Sequence, residues 1–332
     1  MTTVHTDLTR ERLASAYRVM TTIRVFEERL HADFATGEIP GAVHLYAGQE
    51  AIAAGTCAHL RSDDFVASTH RGHGHAIAKG CDLTGMMLEI YGRAGGLCGG
   101  KGGSMHIADF DRGMLGANGV AAGGTPLVCG AALSAKLLGT DRVAVAFVGD
   151  GGANQGAFAE SLCLAAVWQL PCVFVVEDNG YAQATGVAYH LQGIPVARRA
   201  QAYGMPGATV DGADFFAVYD AVGTAVRQAR AGGGPSLVEC RAPRLFGHME
   251  GFDQQAYRGP DEVARDRRER DCLRGFAERM VAEGLIERRE LDEIDELARI
   301  AVDGAADAAR HAAYPDPDQL TSGVYARPDV PH

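Results

Sequence analysis

The chain has 332 residues, enough for a large buried core, and its 47% hydrophobic and 22% charged residues exclude the disordered class, which pairs low hydrophobicity with high charge. Lys and Arg number 31 against 42 Asp and Glu, a net charge of −11 that gives nucleic-acid phosphates no general attraction. The opening MTTVHTDLTRERL carries acidic residues and no apolar centre, unlike a secretory or transit peptide, and no apolar run approaches the ~20 residues of a spanning helix. A cytoplasmic protein with neither a nucleic-acid nor a membrane partner is expected. Eight scattered cysteines without a CxxC pair read as small buried residues in a reducing compartment, not as a disulfide framework or a zinc site.

From Leu8 to about Gly37 the spacing of Leu13, Tyr17, Met20, Ile23, Val25, Phe26 and Leu30 predicts an amphipathic helix. An Ala-rich helix near 49–60 follows, then a strand and loop in SDDFVASTHRGHGHAIAKG, which carries His70, Arg71, His73 and His75. A helix at roughly 82–92 leads into GRAGGLCGGKGGSMHI, a segment built to touch something. Glycine, 43 residues in all, is about 13% of the chain against ~7% in average usage and concentrates between Gly92 and Gly156, where a backbone approaching a ligand wants residues without a Cβ. Val143 to Val148 predicts a strand buried on both faces, Phe158 to Trp168 a helix packed on the sheet through those two aromatics, and Pro171 to Val176 a second buried strand, which together make a βαβ unit. Ser236 to Cys240 and Ala208 to Val210 suit further strands of the sheet. Beyond Pro260 come two long charged helices and then an extended, proline-bearing tail. The predicted class is α/β, with a helical segment over 1–40, the main domain over 41–259, helices of the same domain over 260–313 and the tail over 314–332.

GDGGANQG, Gly149 to Gly156, is the sharpest motif. A right-handed βαβ crossover ends both strands on one edge of the sheet, so Asp150 and Asn179, 29 residues apart, come to one point. With a backbone carbonyl at Tyr181 they make a hard-oxygen site suited to Mg2+, an ion that completes its octahedron with phosphate oxygens, and a helix start after Gly151 offers unpaired amides to the same diphosphate. Rival motifs fail: GxGxxG needs glycine where Asn154 stands, and GxxxxGK[ST] from Gly95 to Lys101 meets Gly102 in place of the hydroxyl residue.

GDGGANQGAFAESLCLAAVWQLPCVFVVEDNGYA resembles the thiamine diphosphate motif of the α subunits of 2-oxo acid and acetoin dehydrogenases, the first component of those multienzyme complexes. The resemblance runs from about Leu13 through Arg258 and takes in HLYAGQEA, STHRGHGHAIAKG, GKGGSMHI, GANGV and FGHMEG in family order. It implies a three-layer parallel-sheet thiamine diphosphate-binding fold with helical N- and C-terminal additions. It also implies Asp150, Asn179 and the Tyr181 carbonyl as magnesium ligands, Arg71 and Arg244 on the diphosphate, backbone around Gly119 and Ala121 on the aminopyrimidine, and Gly151 beside the cofactor. His248 matches the active-site histidine of the family's mobile loop, and His44 and His70 line the same cavity; His73, His75 and His106 read equally well as structural.

Three positions depart from the family. Asp178 stands where the family pairs asparagines, Ala121 replaces a bulky aliphatic that props the bent cofactor, and Met249 replaces the regulatory serine. GHMEG followed by Asp253, Gln254, Gln255, Tyr257 and Arg258 is closest to the acetoin version, with Phe252 interrupting it. The activity implied is cleavage of a carbon–carbon bond beside a carbonyl, first of all in acetoin, with the two-carbon unit passed to a lipoyl-bearing acyltransferase. Pyruvate or another 2-oxo acid, and a non-catalytic partner subunit, stay open. In this family the glutamate that pairs the aminopyrimidine comes from a β subunit, so an α2β2 heterotetramer is implied; Glu239 and Glu250 are no substitutes.

Overall fold

The computed structural model describes residues 8–253 and 256–322; Gln254, Gln255 and the end of the tail lie outside the described residues. Helix α1 (Arg10–Phe34) begins at Thr9, whose hydroxyl accepts from the Arg12 amide. Then come α2 (Glu50–Cys57), β1 (Phe65–Ala67), α3 (His73–Lys79), α4 (Leu83–Ile90), β2 (Met114–Gly116), α5 (Gly124–Leu137), β3 (Ala144–Gly149), α6 (Gly156–Trp168) and β4 (Cys172–Asp178). A short antiparallel hairpin, β5 (Tyr181–Ala182) and β6 (Thr185–Gly186), is followed by α7 (Val187–His190), β7 (Gly207–Asp211), α8 (Phe215–Arg230) and β8 (Ser236–Arg241). Helices α9 (Glu262–Glu269), α10 (Cys272–Ala282) and α11 (Arg288–His311) complete the described chain. None of the described helices is long and apolar enough to cross a membrane.

Six strands form an all-parallel sheet in the order β2-β1-β3-β4-β8-β7. Alternation along β3 divides the core. Ala144, Ala146 and Val148 join Val128 and Ala132 of α5 and Phe158 and Leu162 of α6 on one face, whereas Val145 and Phe147 join Val218 and Val222 of α8 and Ile23, Phe26 and Leu30 of α1 on the other. Both faces are covered, and that is why these strands read as continuous apolar runs. The result is the expected three-layer α/β fold. A third apolar cluster links α1, α2, α8, α10 and α11 through Leu13, Met20, Phe215, Phe276 and Leu291, and the buried Arg24 crosses it by pairing with Glu50 at 2.6 Å and Asp271 at 3.0 Å.

Several elements differ from expectation. The segment of His73 and His75 is helix α3, not loop. Helices α5 and α8 and strand β2 emerge where no element was predicted, and the two charged C-terminal helices are three. Asp271 makes that break: its carboxylate accepts from the Leu273 amide as the cap of α10 while holding Arg24. Phe158 packs on the sheet as expected, but Trp168, at the end of α6, is 46% exposed.

The glycine-rich loop touches the protein itself. Glu89, fully buried on α4, accepts from the amides of Cys98 and Gly100 (both 2.8 Å) on one oxygen and of Gly102 (2.6 Å) and Gly103 (3.1 Å) on the other. Successive N–H groups converging on an anion form a nest of the kind phosphate loops use, and here the anion is a side chain of the same fold. Gly100 has φ +73°, and a Cβ there would sit 2.6 Å from the Arg93 carbonyl. Lys101, the lysine of the near-Walker pattern, donates instead to the Ser322 carbonyl at 2.8 Å. Glu89→Gln puts an amide donor against two amide donors, so it should lower stability by about 2–4 kcal/mol; a lower urea midpoint at unchanged slope is the measurement that checks it.

Candidate active site

In this sheet the chain leaves β1 toward β2 and leaves β3 in the opposite direction toward β4, so the strand order reverses between β1 and β3. Open parallel sheets place ligands outside the carboxyl ends of the strands at such a switch point. A cavity of about 430 Å³ lies there. The loop after β1 supplies His70 and Arg71, that after β2 supplies Gly119 and Ala121, and that after β3 supplies Asp150 and Gly151. Asn179 and Tyr181 follow β4, Arg244 and His248 follow β8, and His44 enters from the segment before α2. The structure thus brings all eleven sequence-derived site residues to one cavity.

The GDG turn fits tightly under the β5–β6 hairpin: a Cβ on Gly151 would meet the Ala182 Cβ at 2.5 Å. A 3-10 turn, Gly152–Asn154, precedes α6, so the helix proper starts at Gly156, two residues before the expected Phe158 but not directly after Gly151. Asp150 is buried, and its Oδ2 has no hydrogen-bond partner, the nearest base being the His190 Nε2 at 3.4 Å. Burial, and then the charge of Asp178, push the Asp150 carboxyl up to about 6. The Asn179 amide donates to the Gln49 Oε1 at 3.2 Å. Asp178 itself lines a separate surface hollow, where its carboxylate accepts from the Gly180 amide and pairs with Arg241 at 3.4 Å; its added charge is thereby compensated.

Two guanidiniums face this acid, and neither has a carboxylate partner. Arg71 donates to the Leu45 carbonyl (2.7 Å), the His248 carbonyl (2.6 Å) and the His248 Nδ1 (3.1 Å). Arg244 donates to the Tyr181 and Gln183 carbonyls and the Tyr257 hydroxyl, and its Nε is unpaired. Burial and the neighbouring Arg244 charge lower Arg71 to about 9, and burial lowers Arg244 too. Buried cations satisfied only by neutral acceptors call for an anion. Together with the orphaned Asp150 oxygen and two amide or carbonyl oxygens, they fit a divalent cation bound to a diphosphate.

His44, His70 and His248 form one wall, with ring centroids 4.6, 4.9 and 5.4 Å apart. Burial first, then Arg71, holds them down to about 3, 2 and 3, so all three are neutral at pH 7. Because Arg71 donates to the His248 Nδ1, that neutral ring carries its proton on Nε2.

The dehydrogenase E1 component family matches residues 18–318. The chain belongs to it. The α subunit of acetoin:2,6-dichlorophenolindophenol oxidoreductase from Cupriavidus necator is 53% identical over 318 residues, covering 96% of this chain and 95% of that one. Its counterpart from Bacillus subtilis is 51% identical over 96% and 95% of the two chains. The pyruvate dehydrogenase E1 component subunit α of Rhizobium meliloti is 37% identical over 96% and 91%.

Sequence reasoning missed several residues that shape this E1 component's cavity. Gln49 orients Asn179, Tyr257 holds Arg244, and Arg258 donates to the Arg244 carbonyl at 2.7 Å. Glu177, Ser68 and Phe147 line the cavity, and Glu177 was signalled only by its place in the EDN triplet. Asp150 supplies a test. Its carboxyl titrates near 6 in the fold and near 4 in the unfolded chain, so its cost is absent below pH 4, grows as pH rises and is complete above 6. Asp150→Asn should therefore stabilise the ligand-free chain above pH 6, by on the order of 3 kcal/mol at most, and leave it unchanged at pH 4; urea midpoints at the two pH values measure this.

Proposed function

We propose that this E1 component is the α subunit of a thiamine diphosphate-dependent dehydrogenase that cleaves acetoin and passes the two-carbon unit to a lipoyl-bearing acyltransferase. The observation that carries the cofactor reading is the pair of carboxylate-free buried arginines facing the orphaned Asp150 oxygen. Asp150, Asn179 and the Tyr181 carbonyl would hold Mg2+, Arg71 and Arg244 the diphosphate, the Gly151 turn its inner oxygens, and backbone at Gly119 and Ala121 the aminopyrimidine. Bound there, thiamine diphosphate supplies the electron sink that lets a carbon–carbon bond beside a carbonyl break. The wall of His44, His70 and His248 presents neutral hydrogen-bonding groups to a substrate, which suits an uncharged hydroxyketone. Identities of 53% and 51% to the α subunits of acetoin oxidoreductases, against 37% to a pyruvate enzyme's, favour acetoin over pyruvate.

A β subunit, in an α2β2 assembly, is part of this reading. Among the described residues the cavity offers two carboxylates, Asp150 and Glu177. Asp150 is committed to the metal, and Glu177 accepts from Tyr46 and His75. Neither is free to pair an aminopyrimidine. The outer faces and C-terminal ends of α5 and α6, the helices that start at the cavity edge, expose Leu127, Leu137, Leu138, Val167 and Trp168, by 46–77%, and the Lys136 ammonium joins the two helix ends by donating to the Trp168 carbonyl. Apolar surface of this extent marks a protein interface. Residues 41–259 would form the binding domain and 1–40 and 260–313 its helical additions. The eight free cysteines suit the cytoplasm.

Calorimetry on the chain with its β subunit should show thiamine diphosphate binding that depends on Mg2+ and is lost in Asp150→Ala; magnesium-independent or absent binding removes the cofactor reading. The same pair should reduce an artificial electron acceptor when given acetoin; reduction with pyruvate and none with acetoin removes the substrate reading.

A further inference from the structure

A hydrogen-bonded chain beside the cavity is given no role by the reading above. Ser68 directly follows β1, its amide donating to the Gly116 carbonyl at 2.9 Å, and its Oγ lies 2.7 Å from the His75 Nδ1. His75, fully buried on α3, is stacked on Phe147 with centroids 3.6 Å apart and brings its Nε2 to 3.0 Å from the Glu177 Oε1. The same carboxylate oxygen accepts from the Tyr46 hydroxyl at 2.5 Å. Ser68 and Glu177 both line the cavity.

The order of protons along this chain is set by chemistry. A carboxylate only accepts, so Tyr46 and the His75 Nε2–H both donate to Glu177. A neutral imidazole with its proton on Nε2 must accept at Nδ1, so the Ser68 hydroxyl donates to it. Ser68, which lines the cavity, is thus placed to take a proton from a ligand on its oxygen while passing its own to the His75 Nδ1, the His75 Nε2–H donating to the Glu177 carboxylate throughout.

This arrangement matters for one substrate class, and the argument rests on the hydroxyketone reading above. When the bond between the carbonyl carbon and the carbinol carbon of acetoin breaks, the carbinol O–H must lose its proton; its electron pair becomes the C=O of acetaldehyde, and the carbon–carbon pair stays with the two-carbon fragment. A 2-oxo acid loses carbon dioxide and has no such proton to give up. His44, His70 and His248 are poor bases, because burial and Arg71 oppose their protonation. We propose that Ser68, backed by His75 and Glu177, accepts the carbinol proton of a 2-hydroxyketone during carbon–carbon cleavage. The proton goes to the Ser68 Oγ as the serine proton moves to the His75 Nδ1. Ser68 is the group that meets the substrate; His75 and Glu177 are positioning residues that act through it.

Two measurements test the proposal. In the full chain labelled with 15N-histidine, with the His75 signal assigned by its loss in His75→Asn, Nε2 should carry the proton and Nδ1 should not, and Ser68→Ala should shift the Nδ1 resonance; a protonated Nδ1 overturns the relay. In the α–β complex, Ser68→Ala and His75→Asn should lower the acetoin kcat by roughly 10- to 100-fold, a span near the low end of what general-base groups contribute, with acetoin KM and thiamine diphosphate affinity within about twofold of wild type. A kcat within about threefold of wild type in Ser68→Ala, or a loss matched by weakened cofactor binding, overturns it. Wild-type complex that turns over pyruvate and not acetoin removes the substrate reading instead, whatever tautomer His75 shows.

Discussion

Two positive charges are held inside this protein without a negative partner. Arg71 and Arg244 are 3% and 2% exposed, and every hydrogen bond they make ends on a carbonyl, an imidazole or a phenol. Burial and mutual repulsion cost enough to bring Arg71 down to about 9. Across the cavity Asp150 has the complementary problem, a buried carboxylate oxygen with nothing to bind. The fold tolerates both because the apolar layers around the sheet supply stability elsewhere, and a divalent cation carrying a diphosphate is a ligand whose charges would relieve both imbalances together. That shared imbalance separates a binding cavity from an ordinary crevice.

Topology puts these groups in one place. Because every strand of the sheet is parallel, all of its carboxyl ends open on one edge, and the reversal between β1 and β3 spreads their loops apart to leave a hollow. Arg71 follows β1, Asp150 follows β3, Asn179 follows β4 and Arg244 follows β8, so one architectural rule collects residues spread over more than half the chain. The same edge carries Ser68 and Glu177, which give the floor a proton path distinct from the neutral histidine wall. A cavity that sets two buried guanidiniums and an orphaned carboxylate oxygen beside a hydroxyl-to-imidazole chain has, on the reading proposed above, a use for each part in cleaving a hydroxyketone.

Much of the site could be read from the chain, for reasons of local geometry. VAVAFV and PCVFVV are too uniformly apolar to have a solvent face, and the helix between them leaves only one sensible crossover, so Asp150 and Asn179 had to meet. The glycine-rich stretch misled in an instructive way: its amides do converge on an anion, but the anion is Glu89, nine to fourteen residues upstream on α4. Helix α5 escapes the periodic pattern because GTPLVCGAALSAKL leaves Leu127 and Leu137 exposed, which erases the amphipathic period. Trp168 was placed in the core on the strength of its apolar ring and stands on that same outer face. His73 and His75 were read as loop residues because glycines flank them, yet they sit on a helix whose left-handed C-cap is Gly80.

From its amino acids alone, then, the chain determined its class, its buried parallel strands, the meeting of Asp150 and Asn179 at one sheet edge and the family it resembles, because each of these depends on residues within one βαβ unit or on an ordered series of short motifs. Only the tertiary structure decided which buried charges are balanced and which are not. Arg71 was matched to neutral acceptors, Asp178 to Arg241, Glu89 to a ring of amides, and His75 to a glutamate 102 residues away. Solvation and pairing of buried polar groups depend on neighbours that arrive from distant segments, and no spacing along the chain records them.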